Sequence, residues 1–159
     1  MDLRLSTKTE YGLKALMEIA FQGTSKPVQV SDISRRQQIP RESLAILMVE
    51  LKRAGLVNSV RGPSGGYYLT REPSQISLKE IIEALEGQQE DQLLRNRSLQ
   101  GAGFTIQDTW SRCLRIFFDA LDETPLSALI EEHPAHMMSL QNVRNDINTP
   151  IPDGYTYNI

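Results

Sequence analysis

The chain is poor in residues that build metal sites, and it has no long apolar segment. It contains one cysteine and two histidines among 159 residues. A single thiol excludes an internal disulfide, a thiolate-rich zinc site and the four thiolates of an ordinary iron–sulfur cluster. No apolar run approaches the roughly 20 residues of a membrane span, and the first residues lack a signal-peptide core. These absences predict a cytoplasmic protein without a metal or other cofactor.

Side-chain sets that support catalysis are also missing. The sequence contains no recognisable nucleophile–base pair, carboxylate dyad or metal-ligand cluster. The glycine-rich segment "GPSGG" at 62–66 lacks the lysine and the following helix of a phosphate-binding loop. We therefore predict a protein that is not an enzyme.

Charge is distributed unevenly along the chain, although the formal net charge is only −3. Residues 1–75 contain eleven Lys or Arg and seven Asp or Glu, whereas residues 76–159 contain six and thirteen. A basic front half suits contact with a polyanion, and ordinary surface charge is the alternative explanation.

The first 55 residues have the pattern of three helices. Apolar residues at helical spacing predict a first helix over 5–22, with Ser6 or Thr7 as its N-cap. A short helix is predicted from Ser31, which would be its N-cap. A third helix follows Pro40 and ends at Gly55, and two helices joined by so short a turn are a helix-turn-helix. The apolar stripe of the third helix consists of Leu44, Leu47, Met48 and Leu51.

A hairpin follows the third helix. The β-prone runs "LVNSV" and "YYLT" are linked by "RGPSGG", in which Gly65 and Gly66 are predicted to form the turn with positive φ. The short run "VQV" at 28–30 could close a small sheet. Helices followed by a hairpin predict a mainly α fold with a small β-wing, that is, a winged helix-turn-helix.

In such a fold the third helix enters the major groove and the wing reaches the neighbouring minor groove. Groove-facing positions would be 41, 42, 45, 46 and 49. We expect direct readout near the start of the helix and thymine-methyl contact from Ala45 or Ile46. A winged-helix scaffold that binds only proteins is the alternative. The predicted DNA-binding residues are Lys8, Arg41, Glu42, Ser43, Arg61, Ser64, Gly65 and Gly66.

Three segments together resemble the Rrf2 family of winged-helix regulators. They are "LSTKTEYGLKALMEIA", "DISRRQQIPRESLAILMVELKRAGLVNSVRGPSGGYYL" and "ISLKEIIEALEG". The resemblance covers about residues 3–87 and extends more loosely to 132, and its most specific piece is "GLVNSVRGPSGGYYL". It implies a homodimer that binds operator DNA through two winged heads, and we expect this regulator to be a repressor.

Two departures from the family pattern affect the expected function. Relatives that carry an iron–sulfur cluster hold three cysteines in the loop after the "ALEG" segment, whereas this loop has none. Glu10 lies where some relatives supply a carboxylate ligand, and alone it cannot hold iron. The recognition helix has "SLAI" where relatives often have Tyr-Leu-Glu-Gln. Because it lacks the cluster cysteines, the chain most resembles the CymR branch of the family, whose members carry no cluster. An iron–sulfur sensor is the alternative.

The second half of the sequence is predicted to mediate dimerisation. A short helix is capped by Ser77 and ends at Gly87. A long helix over 104–124 then places many apolar residues on one face, and an antiparallel second copy would cover that face. The predicted dimerisation residues are Trp110, Leu114, Phe117 and Leu121. The predicted boundaries are 1–87 for the DNA-binding domain, 88–133 for the loop and dimerisation helices, and 134–159 for a tail.

Cys113 lies within the same apolar face. One interpretation is a small buried hydrophobic side chain at a helix interface. The other is a redox switch, since Arg112 and Arg115 flank the thiol and favour its reactive thiolate form.

The tail has no sustained periodicity, and we expect it to be extended or mobile. His133 and His136 are three residues apart, but Pro134 disfavours a helical metal pair between them. The segment Tyr157, Asn158 and Ile159 resembles the C-terminal peptide with which serine acetyltransferases enter the active site of cysteine synthase. A carboxylate captured by backbone donors beside an apolar pocket would explain such binding. A tail that is free or that packs on its dimer mate is the alternative.

Overall fold

A computed structural model describes residues 5–22, 26–88 and 102–131. The elements in chain order are α1 (Thr7–Phe21), α2 (Val30–Gln37), α3 (Arg41–Arg53), β1 (Val57–Val60), β2 (Gly66–Leu69), a 3-10 turn (Pro73–Gln75), α4 (Leu78–Glu86), α5 (Ala102–Glu123) and α6 (Leu126–Glu131). The predicted fold class, mainly α with a small β-wing, is confirmed. Within the described ranges, no helix is both long enough and apolar enough to cross a membrane.

Local sequence signals explain where α1 and α4 begin. Ser6 is the N-cap of α1, and its hydroxyl accepts a hydrogen bond from the backbone N–H of Thr9 at 3.0 Å. Ser77 caps α4 in the same way, and Glu80 completes a capping box by accepting from the backbone N–H of Ser77. Each cap satisfies amide groups that have no partner within the helix, so both helices begin where the sequence predicts.

The helix-turn-helix forms as predicted, with one difference at its start. Ser31 was expected to cap α2, but the N-cap lies two residues earlier, at Gln29, which makes no side-chain cap bond. Ser31 instead lies in the first turn, where its hydroxyl contacts the side chain of Gln29 at 3.3 Å. Gln38 ends α2 in the left-handed region, and Gly55 follows the C-cap of α3 with φ of 77°.

The wing is a two-stranded antiparallel hairpin in which Val57 pairs with Leu69 and Val60 pairs with Gly66. The run "VQV" contributes less than predicted. Only Val28 pairs with the hairpin, through an isolated bridge to Tyr67, because the chain already enters α2 at Val30. A single bridged residue therefore takes the place of the expected third strand.

The hydrophobic core joins α1, α2, α3, the hairpin and α4. Leu16, Ile33 and Leu44 are fully enclosed in it. Leu126 of α6 is fully buried in the same core, and the backbone N–H of Leu126 donates to the carbonyl of Ile76 at 2.8 Å. Helix α6, which lies beyond residue 88, therefore completes the core of the winged-helix domain. The predicted domain boundaries at 87 and 133 stay predictions.

Helix α5 packs on α4 and divides its apolar residues between two sides. Leu114 and Phe118 are buried within the chain, and the Lys79 ammonium of α4 lies 6.0 Å from the centroid of the Phe118 ring. Trp110 and Phe117 are exposed on the other side. Leu114 packs inside the chain and Leu121 is half-buried, so part of the predicted apolar face is already covered within the single chain. The dimer contacts of Trp110, Leu114, Phe117 and Leu121 stay predictions.

Candidate nucleic-acid interface

The side of α3 that faces away from the core combines charged ends with an aliphatic centre. Buried leucines and Met48 hold the opposite side against the core, so helical geometry fixes which residues point outward. Ser43 is half-buried. The exposed residues of α3 are Arg41, Glu42, Ala45, Ile46, Val49, Lys52 and Arg53.

The groove-facing positions predicted from the sequence are all exposed. Ile46 has 63% of its surface accessible and Val49 has 53%, which is unusual for large aliphatic side chains on a helix. Their contact with DNA remains a prediction, as it does for Arg41, Glu42 and Ser43.

The turn of the wing is built differently from the prediction. The backbone N–H of Gly65 donates to the carbonyl of Gly62 at 2.9 Å, so Pro63 and Ser64 are the central residues of the turn. Positive φ occurs at Gly62 (112°) and Gly66 (155°), whereas Gly65 has no such angle. Gly65 is required for space, because a Cβ there would lie 2.3 Å from the carbonyl oxygen of Val60.

Arg61 is exposed at the end of β1, beside the exposed Ser64. No hydrogen bond or ion pair within the described residues holds its guanidinium group. This leaves the charge available for an external anion, as a phosphate or minor-groove contact requires.

Three contacts hold the wing against the helix-turn-helix. Backbone hydrogen bonds of 2.8 Å run in both directions between Val28 and Tyr67. The Gln29 side chain donates from Nε2 to the carbonyl of Pro63 at 2.9 Å. Lys52, near the end of α3, donates from Nζ to the hydroxyl of Ser59 at 2.6 Å. The recognition helix and the wing are thus linked directly.

Sequence reasoning missed Gln29 and Lys52 as positioning residues. Gln29 bonds to a residue 34 positions away, and its immediate neighbours carry no signal of that contact. Lys52 is seven residues from Ser59, a separation that crosses the end of the helix and so follows no helical spacing.

Lys8 was predicted to bind DNA, but its ammonium group already has partners inside the chain. It forms a salt bridge with Glu50 at 2.8 Å and donates a hydrogen bond to the carbonyl of Leu85. Lys8 therefore connects α1 to α3 and α4. A DNA contact would have to share the ammonium group with these partners.

The outward side of α5 carries an apolar stripe, which we define as Ile106, Trp110, Cys113 and Phe117. All four side chains are exposed. Their spacings of four, three and four residues match a heptad seam, the pattern by which helices pair. Cys113 is thus exposed in the single chain rather than buried, and its burial would require a second molecule.

The chain's donor set does not fit an iron–sulfur cluster. The only thiol is on the outward side of α5, and no three His, Cys, Asp or Glu side chains converge within residues 5–22, 26–88 and 102–131. His133, His136 and residues 89–101 lie outside the described residues.

A helix-turn-helix with an exposed recognition helix and an anchored wing defines a winged-helix transcriptional regulator. The chain belongs to the Rrf2 family, whose description is iron-dependent transcriptional regulator and which it matches over residues 5–132. This family match confirms the resemblance and the prediction of a regulator rather than an enzyme.

Two relatives and one solved structure illustrate the similarity. A protein of Synechocystis named as a helix-turn-helix-type transcriptional regulator is 46% identical over 84 residues, which cover 53% of this chain and 57% of that protein. The matched region thus spans little more than half of that relative's length. A similarly named protein of Neisseria meningitidis is 33% identical over 132 residues, covering 82% of this chain and 89% of its own.

The solved structure is that of CymR, described as the global cysteine regulator of B. subtilis. It is 31% identical in sequence and superposes with a TM-score of 0.71. The superposition covers 82% of this chain and 98% of CymR.

Proposed function

We propose that this protein is a homodimeric repressor that binds operator DNA through α3 and the wing. The observation that carries the proposal is the direct linkage of the two elements. Gln29 bonds to the wing turn and Lys52 bonds to β1, which supports a single binding surface that includes the exposed side of α3 and Arg61. A surface of this kind can engage adjacent grooves of one duplex.

The charges on this surface favour DNA as its partner. Arg41 lies at one end of α3, and Lys52 and Arg53 lie at the other. Glu42 is the acidic residue among the exposed positions of the helix. Phosphates on both sides of a major groove would meet these cations, and counterion release would make the binding salt-dependent.

The test measures binding of the full chain to duplexes chosen from a random-sequence pool, at several salt concentrations. We expect a selected consensus, and affinity that falls as salt rises. Arg61→Ala should weaken binding and reduce the salt slope by about one unit per subunit. The matched control is Arg112→Ala, because Arg112 lies on α5 and forms an ion pair with Asp108. This variant should leave the DNA affinity and the salt slope unchanged. Absence of DNA binding would instead support a protein-binding scaffold.

Homodimerisation through the α5 stripe is the second part of the proposal. An exposed apolar surface of this width needs a partner, and a second copy offers the same stripe in return. Pairing would also place two α3 helices on one duplex. A dimer contact that includes Trp110 and Phe117 would leave Leu114 in its internal position.

Regulation of cysteine metabolism is the finer proposal for the chain's role. The similarity to CymR, whose description names cysteine regulation, supports it. Tyr157, Asn158 and Ile159, proposed to bind cysteine synthase, lie outside the described residues. Deletion of these three residues should abolish binding to cysteine synthase while DNA binding persists. Equal binding by the truncated protein would exclude the tail as the contact.

A redox sensor based on Cys113 is the second candidate, and the exposure of that thiol in the single chain favours it. Peroxide would then release the protein from its operator, and Cys113→Ser would abolish that release. Unchanged release from the serine variant would rule the candidate out.

A further inference from the structure

The centre of the α3 surface is aliphatic, and we call Ala45, Ile46 and Val49 the α3 strip. These residues occupy positions i, i+1 and i+4 and are all exposed. Covering large aliphatic side chains that have more than half of their surface in water is favourable. An apolar partner group against the strip would therefore add to the free energy of binding.

The surroundings of the strip indicate what that group belongs to. Arg41 precedes the strip, and Lys52 and Arg53 follow it, so cations lie at both of its ends. Lys52 already donates to Ser59, but an apolar protein surface would leave the charges of Arg41 and Arg53 without partners. A DNA duplex offers phosphates at both edges of a groove. The partner that fits both features is the floor of a major groove.

Only one apolar group is present on that floor. The base edges offer hydrogen-bond donors and acceptors, together with the C5-methyl group of thymine. The strip has no hydrogen-bonding side chain, and α3 contains neither Asn nor Gln. Base edges opposite the strip can therefore be distinguished only by the presence of a methyl group.

We propose that the α3 strip selects operator DNA by binding the C5-methyl groups of pyrimidines. The strip extends about 6 Å along the helix, which corresponds to roughly two base-pair steps at about 3.4 Å each. Each half-site therefore contains methyl-bearing pyrimidines at two neighbouring steps. Thymine is the ordinary source of this methyl, and 5-methylcytosine presents the same group. The inference rests on the proposed DNA-binding function.

The experiment uses the full chain and the duplex that it selects from a random pool. Deoxyuridine replaces thymine at each selected position, which removes the methyl and keeps the base pairing. We expect affinity to fall about 4-fold for each methyl that the strip buries. In a parallel arm, 5-methylcytosine replaces each selected cytosine. Weakening by deoxyuridine identifies thymine as the source, and strengthening by 5-methylcytosine identifies the modified base.

Two variants connect the effect to the strip. Ile46→Ala should bring the ratio of thymine to deoxyuridine affinity towards one, and the exposed position of Ile46 should leave the fold intact, as checked by thermal unfolding. Arg41→Ala is the comparison, and it should weaken binding to both duplexes by the same factor.

The outcomes distinguish failure of the methyl inference from failure of the proposed DNA-binding function. A chain that selects a sequence but does not distinguish thymine from deoxyuridine or 5-methylcytosine from cytosine overturns the methyl inference and leaves the proposed function standing. A chain that binds no duplex overturns both. An undiminished thymine preference in Ile46→Ala also overturns the assignment to the strip.

Discussion

Gln29 and Pro63 join the helix-turn-helix to the wing, through a hydrogen bond of 2.9 Å from the glutamine Nε2 to the proline carbonyl. Gln29 is the N-cap residue of α2, and Pro63 is in the turn of the hairpin. The position of the wing thus depends on the segment that precedes α2. This relationship makes the wing part of the surface that we propose to contact DNA, rather than an independent loop.

Gln29→Ala should therefore weaken DNA binding without unfolding the protein. A side-chain hydrogen bond of this kind contributes about 1 kcal/mol, so we expect roughly a 5-fold loss of affinity. Titration of labelled operator DNA measures the effect. Gln75→Ala, at another exposed glutamine, is the control and should bind as the parent does. Equal affinities of the Gln29 and Gln75 variants would contradict a positioning role for Gln29.

Gly66→Ala should destabilise the wing and its bridge to Val28. The added Cβ would lie 2.5 Å from the carbonyl oxygen of Val28, and the backbone φ of 155° disfavours a side chain there. Overpacking against backbone atoms costs about 2 kcal/mol. Urea unfolding measures the loss, and Ser64→Ala in the exposed turn that precedes β2 should change stability by less than about 0.5 kcal/mol. A fully stable Gly66→Ala variant would show that Val28 moves aside.

Glu18 and Arg36 should be strongly coupled in their contributions to the free energy of unfolding. Both side chains are largely buried, at 4% and 13% exposure, and Gln37 also donates to Glu18 at 3.1 Å. Arg36→Met alone should cost about 3 kcal/mol because it leaves a buried carboxylate without its charge partner. Adding Glu18→Leu should recover most of that loss. A double-mutant cycle by urea unfolding gives the coupling, and additive effects would refute it.

Glu86 should make stability depend on pH. Its carboxylate accepts hydrogen bonds from the hydroxyls of Ser6 and Thr9, the latter at 2.7 Å, and the Lys8 charge is nearby. The Ser6 bond is the largest cause, followed by the Thr9 bond, and together with Lys8 they outweigh partial desolvation and lower the pKa of Glu86. The stabilisation is therefore complete above the ordinary pKa of a glutamate and is lost as pH falls through the lowered value.

Glu86→Gln should consequently lower the melting temperature at neutral pH, and the difference from the parent should shrink in acid. Thermal unfolding across a pH series measures this convergence. Glu83→Gln, one turn earlier on α4, is the matched control and should show no comparable gap at neutral pH. A gap for Glu86→Gln that stays constant down to strongly acid pH would argue against the ionised carboxylate as the cause.

Phe117→Asp should convert the proposed dimer into a monomer. A carboxylate placed in the α5 stripe would have to lose its water on pairing, at a cost of several kcal/mol. Sedimentation velocity at micromolar concentration measures the change, with Arg112→Ala as the control outside the stripe. Cys113 should react slowly with a maleimide in the parent dimer and quickly in the Phe117 variant. Equally fast labelling of both would place the dimer contact elsewhere.

Much of the local structure was predictable because it depends on neighbouring residues. Ser6, Ser77 and Gly55 mark helix ends through caps and a left-handed residue, which the chain itself specifies. The outward positions of α3 followed from helical periodicity and the apolar stripe opposite them. The hairpin followed from its β-prone runs and glycine-rich link.

The incorrect predictions concern residues whose structure depends on contacts that local sequence patterns do not show. Ser31 loses the cap position because the chain pairs at Val28 and enters α2 at Val30. Leu114 belongs to the internal side of α5 because α4 packs there, which periodicity along α5 alone could not show. The requirement for Gly65 arises from the nearby carbonyl of Val60 rather than from its own φ.

The sequence by itself determined the order of the elements, their caps, the family and the composition of the recognition helix. These features depend on the spacing and chemistry of residues near one another in the chain. Only the tertiary structure decided how the wing is anchored by Gln29, where the Lys8 charge is directed, and which side of α5 stays open. These depend on contacts between residues far apart in sequence, and such contacts exist only once the core has brought the elements together.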